Sequence, residues 1–231
     1  MDYKLALMKS TGVIAIIRIG SSDRVLQIAQ AITAGGIRCL EVTMNTPGAL
    51  RAIEKTTGDL GEAIVGTGTV LDGTSARQAI LAGAQFLVTP TVNEAVITMG
   101  RRYGVVVISG AMTPTEVLTA WEADADMVKL FPANALGSDY LKALRSPLPQ
   151  IPIVPTGGIT LENAGEFIRA GAAMVCAGGW LLDKKAVSEG RYEVLTERAS
   201  QLVEAVRRAE SRDVLMNYYP TLKLRIEGSH G

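Results

Sequence analysis

Eight short apolar runs, each separated from the next by a segment of helical spacing, constrain this chain more than any other feature. They are Val13–Arg18, Cys39–Thr43, Ala63–Val65, Phe86–Val88, Val105–Ile108, Met127–Leu130, Ile151–Pro155 and Ala173–Ala177. The runs are rich in Val and Ile and nearly continuous, which suits strands buried on both faces of a parallel sheet. Between them lie helix signals. Ser21-Ser22-Asp23 opens a stretch that Gly35-Gly36 ends, and Thr46-Pro47 places Pro at the start of the next. Thr113-Pro114-Thr115-Glu116 and Thr160-Leu161-Glu162-Asn163 read as capped first turns. Ala-Gly-Gly or Ala-Gly-Ala recurs at 34–36, 82–84 and 170–172, each time just before a strand. Eight strand–helix units predict an α/β fold closed into a (β/α)8 TIM barrel. An open, doubly wound sheet is the alternative, but no G-x-G-x-x-G follows the first strand to favour it.

Length and composition fit one barrel. The chain has 231 residues, of which 48% are hydrophobic and 20% charged. The expected division is a single domain over residues 1–210, with a short N-terminal helix, and a C-terminal extension over 211–231 of unassigned role. That extension, from Val214 to Ile226, is apolar enough to want burial. The 23 Lys and Arg residues balance 23 Asp and Glu residues, so no basic excess points to nucleic acid or a membrane surface. No stretch approaches the ~20 apolar residues that span a bilayer. Residues Met1 to Ser10 lack the apolar core and cleavage site of a signal peptide, so a cytoplasmic location is expected. Cys39 and Cys176 sit in or beside apolar runs and read as buried free thiols. His230 is the only histidine, which argues against a histidine-based metal site, triad or general base. Chemistry must then come from Lys, carboxylates, hydroxyls or backbone amides.

In a barrel the active site lies at the C-terminal ends of the strands. Two charged residues stand there inside apolar runs: Glu41 in Cys-Leu-Glu-Val-Thr and Lys129 in Met-Val-Lys-Leu-Phe-Pro. Alternation along a barrel strand directs one set of side chains inward. In a low-dielectric interior the ammonium form of a lysine is disfavoured, and a neutral amine is what attack on a ketone requires. The pair therefore reads as an amine nucleophile with a carboxylate proton carrier. A structural ion pair inside the barrel is the plainer alternative.

Thr156-Gly157-Gly158 follows the seventh run and Gly178-Gly179 the eighth. Loops after these two strands commonly bind phosphate through backbone N–H groups, and glycine permits close approach. Tight turns or packing glycines are the bland alternative for either pair alone.

Taken in order, Glu41-Val-Thr-Met-Asn-Thr-Pro, Ile64-Val-Gly-Thr-Gly-Thr-Val, Val88-Thr-Pro, Val128-Lys-Leu-Phe-Pro-Ala, Pro155-Thr-Gly-Gly-Ile and Gly178-Gly-Trp-Leu form a specific set. The chain resembles the 2-keto-3-deoxy-6-phosphogluconate and 4-hydroxy-2-oxoglutarate aldolases, including their phosphogalactonate relatives, from about Gly12 to Arg208. The resemblance implies a barrel of the class I aldolase type. Its activity would be reversible cleavage of a 2-keto-3-deoxy-6-phospho sugar acid to pyruvate and glyceraldehyde 3-phosphate. Some relatives also cleave 4-hydroxy-2-oxoglutarate to pyruvate and glyoxylate. It implies Lys129 as the Schiff-base lysine and Glu41 as general acid/base. Arg18 and Thr69 would face the pyruvyl carboxylate, and Thr43, Pro90 and Phe131 would line the pocket. Thr156, Gly157, Gly158, Gly178 and Gly179 would hold the phosphate. No cofactor or metal is implied, and the assembly would be a homotrimer. The chain departs from the family at Asn45, where some members carry Arg and the phosphogalactonate type does not. It also departs at Gly179, where Ser is frequent, and at Ser109-Gly110, where Pro-Gly is usual. A metal-free sugar-phosphate isomerase or epimerase, or an idle barrel serving as an assembly scaffold, are the competing readings.

Overall fold

In a computed structural model, which describes the backbone of residues 3–218 and the side chains of residues 4–210, the eight apolar runs become eight parallel strands. They are β1 (Val13–Ile17), β2 (Cys39–Thr43), β3 (Ile64–Gly68), β4 (Phe86–Val88), β5 (Val106–Ala111), β6 (Met127–Leu130), β7 (Ile153–Pro155) and β8 (Val175–Ala177). Each strand pairs with its sequence neighbour from β1 to β7, and β1 pairs with β8. The ring closes between β7 and β8 through one parallel bridge, Thr156 to Cys176, and through the Ala173 N–H donated to the Ile153 carbonyl at 2.8 Å. The barrel is thus nearly closed, with its thinnest seam at the last two strands.

Side-chain alternation divides the apolar residues into two sets. Val13, Ala15, Ile17, Leu40, Val42, Val65, Leu87, Val107 and Val128 belong to the large core shared by the strands and the surrounding helices. Ile14, Ile16, Cys39, Ile64, Phe86, Val88, Val106, Ile108, Met127, Val154, Met174 and Cys176 form a separate cluster inside the barrel. Burying a large apolar side chain contributes about 1.5–3 kcal/mol, so each layer stabilises the ring from its own side. Helix α1 (Tyr3–Thr11) closes the end where the strands begin, with Met8 buried in the interior cluster and Leu5 and Leu7 packed on it.

The remaining helices are α2 (Val25–Ala34), α3 (Ala49–Asp59), α4 (Gly73–Leu81), α5 (Glu94–Tyr103), α6 (Pro114–Glu122), α7 (Ala133–Arg145), α8 (Leu161–Arg169), α9 (Lys184–Glu189) and α10 (Glu193–Tyr218). Thr113 caps α6 in a reciprocal box with Glu116, with Pro114 in the first turn. At α8 the Thr160 N–H donates to the Asn163 carboxamide at 2.9 Å. These two caps are the ones the sequence signals predict.

Three expectations need correction. Strand β3 continues past Val65 through Gly66-Thr67-Gly68, and β5 past Ile108 through Ser109-Gly110-Ala111. The apolar signal stops at those points because the barrel interior there admits little beyond backbone. A methyl group on Gly66 would overlap the Phe86 ring, and one on Gly110 would overlap the Pro90 backbone. Thr46-Pro47 does not begin a helix. The Thr46 N–H donates to the Thr43 carbonyl at 2.9 Å in a turn, and α3 starts only after Gly48, whose φ of 75° suits glycine. The backbone of the last helix runs to Tyr218, across the expected boundary at residue 210. The rest of the expected extension, 219–231, lies outside the described residues. Among the described residues, no helix is long and apolar enough to cross a membrane.

Candidate active site

Strand register places the two inward charges. Glu41 lies beside Ile16 on β1 and Gly66 on β3, while Lys129 lies beside Gly110 on β5 and Val154 on β7. Glu41 is fully buried and Lys129 is 5% exposed. Among the described residues no ion pair joins them, so the plain structural reading of the pair fails. A methyl group on Gly68 would overlap the Glu41 carboxyl group, so bare backbone gives that side chain its room. Glu41 Oε1 has no hydrogen-bond partner, a costly arrangement for a buried polar atom.

Cys176 is the polar neighbour of Glu41. Its Sγ is 3.6 Å from Glu41 Oε2. Burial pushes the thiol well above its usual range and the Glu41 carboxylate adds to the rise, while the Lys129 ammonium opposes it. The Lys129 Nζ lies 5.2 Å from the centroid of the Phe131 ring, within cation–π range. Phe131 is 40% exposed and leads from the lysine to the mouth of the barrel.

A cavity of about 860 Å³ opens at that mouth, over the ends of β7, β8 and β1. Arg18, Phe131, Thr156, Gly157, Gly158, Gly178 and Gly179 all line it, so both glycine pairs face one space. Gly157 and Gly158 have φ of 96° and 67°, a conformation that favours glycine. Gly157 is also close to Phe131: a methyl group there would sit 3.4 Å from the ring. The loop after β6 is fastened to this turn by the Ala133 N–H donating to the Thr156 carbonyl at 2.7 Å and the Asn134 N–H to the Gly157 carbonyl at 3.1 Å.

The opposite wall is the turn after β8. The Leu182 N–H donates to the Gly178 carbonyl at 2.9 Å, and Asp183 caps α9 by accepting from the Ala186 N–H at 2.8 Å. That hydrogen bond is the main cause holding the Asp183 carboxyl below its usual range. Arg198 on α10 braces the turn through Asp183 at 2.8 Å and the Trp180 carbonyl. Arg24 donates to the carbonyls of Val187 (2.5 Å) and Ser188 (3.1 Å), joining the β1 and β8 loops.

Five expected residues, Lys129, Glu41, Thr43, Pro90 and Thr69, are not among those that line this cavity. Thr43 is fully buried, with its hydroxyl 3.3 Å from that of Thr46. Pro90 packs its backbone against Gly110. Thr69 follows β3 with φ of 57°, an outlier for a β-branched residue that costs about 1–3 kcal/mol and is typical of positions held for function. Sequence reasoning missed Ser21, Asp23, Arg24 and Lys184 as rim residues, because they lie at helix starts, where their polarity reads as capping and solvent exposure. It also read Cys176 only as a buried thiol, since nothing in an apolar run announces a carboxylate neighbour.

Comparison with known proteins adds a second line. Residues 5–198 match the family model described as KDPG and KHG aldolase. The chain is 34% identical over 195 residues to the 2-dehydro-3-deoxy-phosphogluconate aldolase of Treponema pallidum, covering 84% of this chain and 93% of that one. It is 35% identical over 200 residues to the 2-dehydro-3-deoxy-6-phosphogalactonate aldolase of Escherichia coli, covering 85% and 95%. A solved structure of KDPG aldolase from Legionella pneumophila, with pyruvate captured as a covalent carbinolamine intermediate, superposes with a TM-score of 0.80. It is 30% identical, and the match covers 86% of this chain and 97% of that one.

Proposed function

The chain belongs to the KDPG and KHG aldolase family, and on that premise we propose that it cleaves a 2-keto-3-deoxy-6-phospho sugar acid through a Schiff base on Lys129. The observation that carries the assignment is the burial of Lys129 and Glu41 inside the barrel with no ion pair between them, Lys129 lying against the Phe131 ring that lines a cavity shared by both glycine pairs. The relative captured as a carbinolamine supports the same chemistry.

The neutral amine of Lys129 attacks the C2 ketone, and loss of water leaves an iminium, a far better electron sink than the ketone. The C3–C4 bond then breaks, with its electron pair moving into the iminium to give an enamine. Glu41, directly or through a water, takes the C4 hydroxyl proton as the aldehyde forms. Glyceraldehyde 3-phosphate departs, the enamine is protonated at C3, and hydrolysis of the resulting iminium frees pyruvate and restores the amine. Proton transfer by a positioned carboxylate contributes about 10²–10⁴-fold in rate.

In this reading Arg18 and Thr69 receive the substrate carboxylate, with Thr43, Pro90 and Phe131 shaping the pocket around the ketone. The backbone N–H groups of Gly157, Gly158, Gly178 and Gly179, with Thr156, take the phosphate about the cavity rim. Arg18 at the rim and Asn45 after the catalytic strand support a phosphogalactonate-type acid as the substrate. A homotrimer in the cytoplasm is the assembly and location that go with the reading. Neither the isomerase nor the scaffold alternative gains support from the relatives.

Borohydride with pyruvate provides the test. It should add one reduced pyruvyl unit at Lys129 and abolish activity, and labelling at another lysine would sink the assignment. Glu41→Gln should slow turnover about 10²-fold or more while still allowing trapping. Comparing rates on the gluconate-type and galactonate-type phosphorylated acids decides the substrate.

A further inference from the structure

Glu41 has one polar neighbour among the described residues that could hold its carboxyl group, and that neighbour is a thiol. Cys176 Sγ stands 3.6 Å from Oε2, whereas Oε1 has no partner. The sulfur sits on β8 inside the barrel, in a cluster with Ile14, Ile16, Val154 and Met174. A hydroxyl in such surroundings would lose more on leaving water than a thiol, which behaves as a small hydrophobe with a weak donor. Burial, above all, and the nearby carboxylate keep that thiol protonated, and the Lys129 ammonium opposes them more weakly. A protonated thiol has a single hydrogen to give. The buried acceptor within reach is Glu41 Oε2.

We propose that Cys176 is a positioning residue for the proton carrier: its S–H donates to Glu41 Oε2 and leaves Oε1 as the oxygen that exchanges the proton with substrate. The proposal rests on the reading of Glu41 as that carrier. Two groups then fix the carboxyl. The thiol holds one oxygen, and the bare backbone of Gly68 leaves the space into which the side chain fits. Without the thiol, the carboxyl keeps its burial but loses its orientation. Misplacement of a reacting group by about 1 Å can cost 10²-fold in rate.

The experiment compares the full-length wild type with Cys176→Ala, Cys176→Ser and Glu41→Gln. Cys176→Ala should lose about 10–100-fold in kcat with KM changed less than about 3-fold, because orientation and not substrate binding is lost. Cys176→Ser, which keeps a donor, should recover most of that loss. In the infrared, the S–H stretching band of Cys176 should move in Glu41→Gln, where a neutral amide replaces the carboxylate, while the Cys39 band stays. If Cys176→Ala does not fold, the band comparison between wild type and Glu41→Gln decides alone. Wild-type kcat in a folded Cys176→Ala, or an unmoved band in Glu41→Gln, overturns the proposal while wild-type trapping at Lys129 leaves the aldolase reading intact. A wild type that cannot be trapped with pyruvate overturns both.

Discussion

Gly68→Ala should separate fold from catalysis, and the geometry sets the size of the effect. The added methyl would fall within the Glu41 carboxyl group and 2.8 Å from its Cγ. Ordinary carbon–carbon contact is about 3.5–4.0 Å, so the side chain must retreat by about 1 Å or more. It can do so by rotating, since the clash is with a side chain and not with backbone. Overpacking of this kind costs about 1–3 kcal/mol, which for a chain of this size lowers Tm by about 2–12 °C. The displaced carboxyl should cost about 10²-fold in kcat. Gly66→Ala is the control: its methyl would meet the Phe86 ring on the other side of β3's interior face and should cost comparable stability with a smaller loss of kcat. Steady-state kinetics on a phosphorylated 2-keto acid, with Tm by calorimetry, read both quantities. A stable Gly68→Ala enzyme with wild-type kcat would refute the placement of Glu41 in proton transfer.

Further outcomes follow from single positions. Gly179 has open space around it, so Gly179→Ser should fold normally and lower KM for a phosphorylated acid about threefold or more, leaving KM for 4-hydroxy-2-oxoglutarate unchanged; equal effects on both would remove Gly179 from the phosphate site. Thr69→Gly should relieve the left-handed strain and stabilise the fold by up to about 1 kcal/mol, or about 2–4 °C in Tm, while raising KM for pyruvate in the reverse reaction; a Tm drop of several degrees would show that the strain is not there. Burial pushes the Cys39 thiol from 9.0 up to about 12. The unfolded chain loses that proton first, so stability is full below pH ~9 and falls by about 1.4 kcal/mol per pH unit as pH rises toward 12. Cys39→Ala should flatten that alkaline decline in urea denaturation series, and an unchanged slope would assign it to other groups.

The barrel was legible because its signal is repeated. Eight strands buried on both faces leave Val and Ile at inward and outward positions alike, and all eight runs proved to be strands. The signal failed where the inward position carries little or no side chain, as at Gly66, Gly68 and Gly110, since an apolar run cannot mark an interior filled by a neighbour's ring or backbone. Lys129 and Glu41 were legible for the opposite reason, being charges where the pattern demands apolar residues. The loops were harder. Thr46 and Pro47 carry a helix-start signature, but the hydrogen bond back to Thr43 uses them in a turn. Arg24 and Lys184 reach the cavity only because the ring brings the β1 and β8 loops side by side, a long-range pairing that no local window contains.

The seam between the last two strands of the ring has a consequence for how the molecule becomes active. Thr156 and Cys176 are the bridge partners that join β7 to β8, and they are also a wall of the cavity and the neighbour of Glu41. Completing the circle and completing the workplace are therefore one event. A chain with seven strands in order but the eighth undocked would have Lys129 in place and Glu41 without its thiol. Turnover recovered during refolding reports the arrival of the final strand, and it should trail every spectroscopic sign of secondary structure.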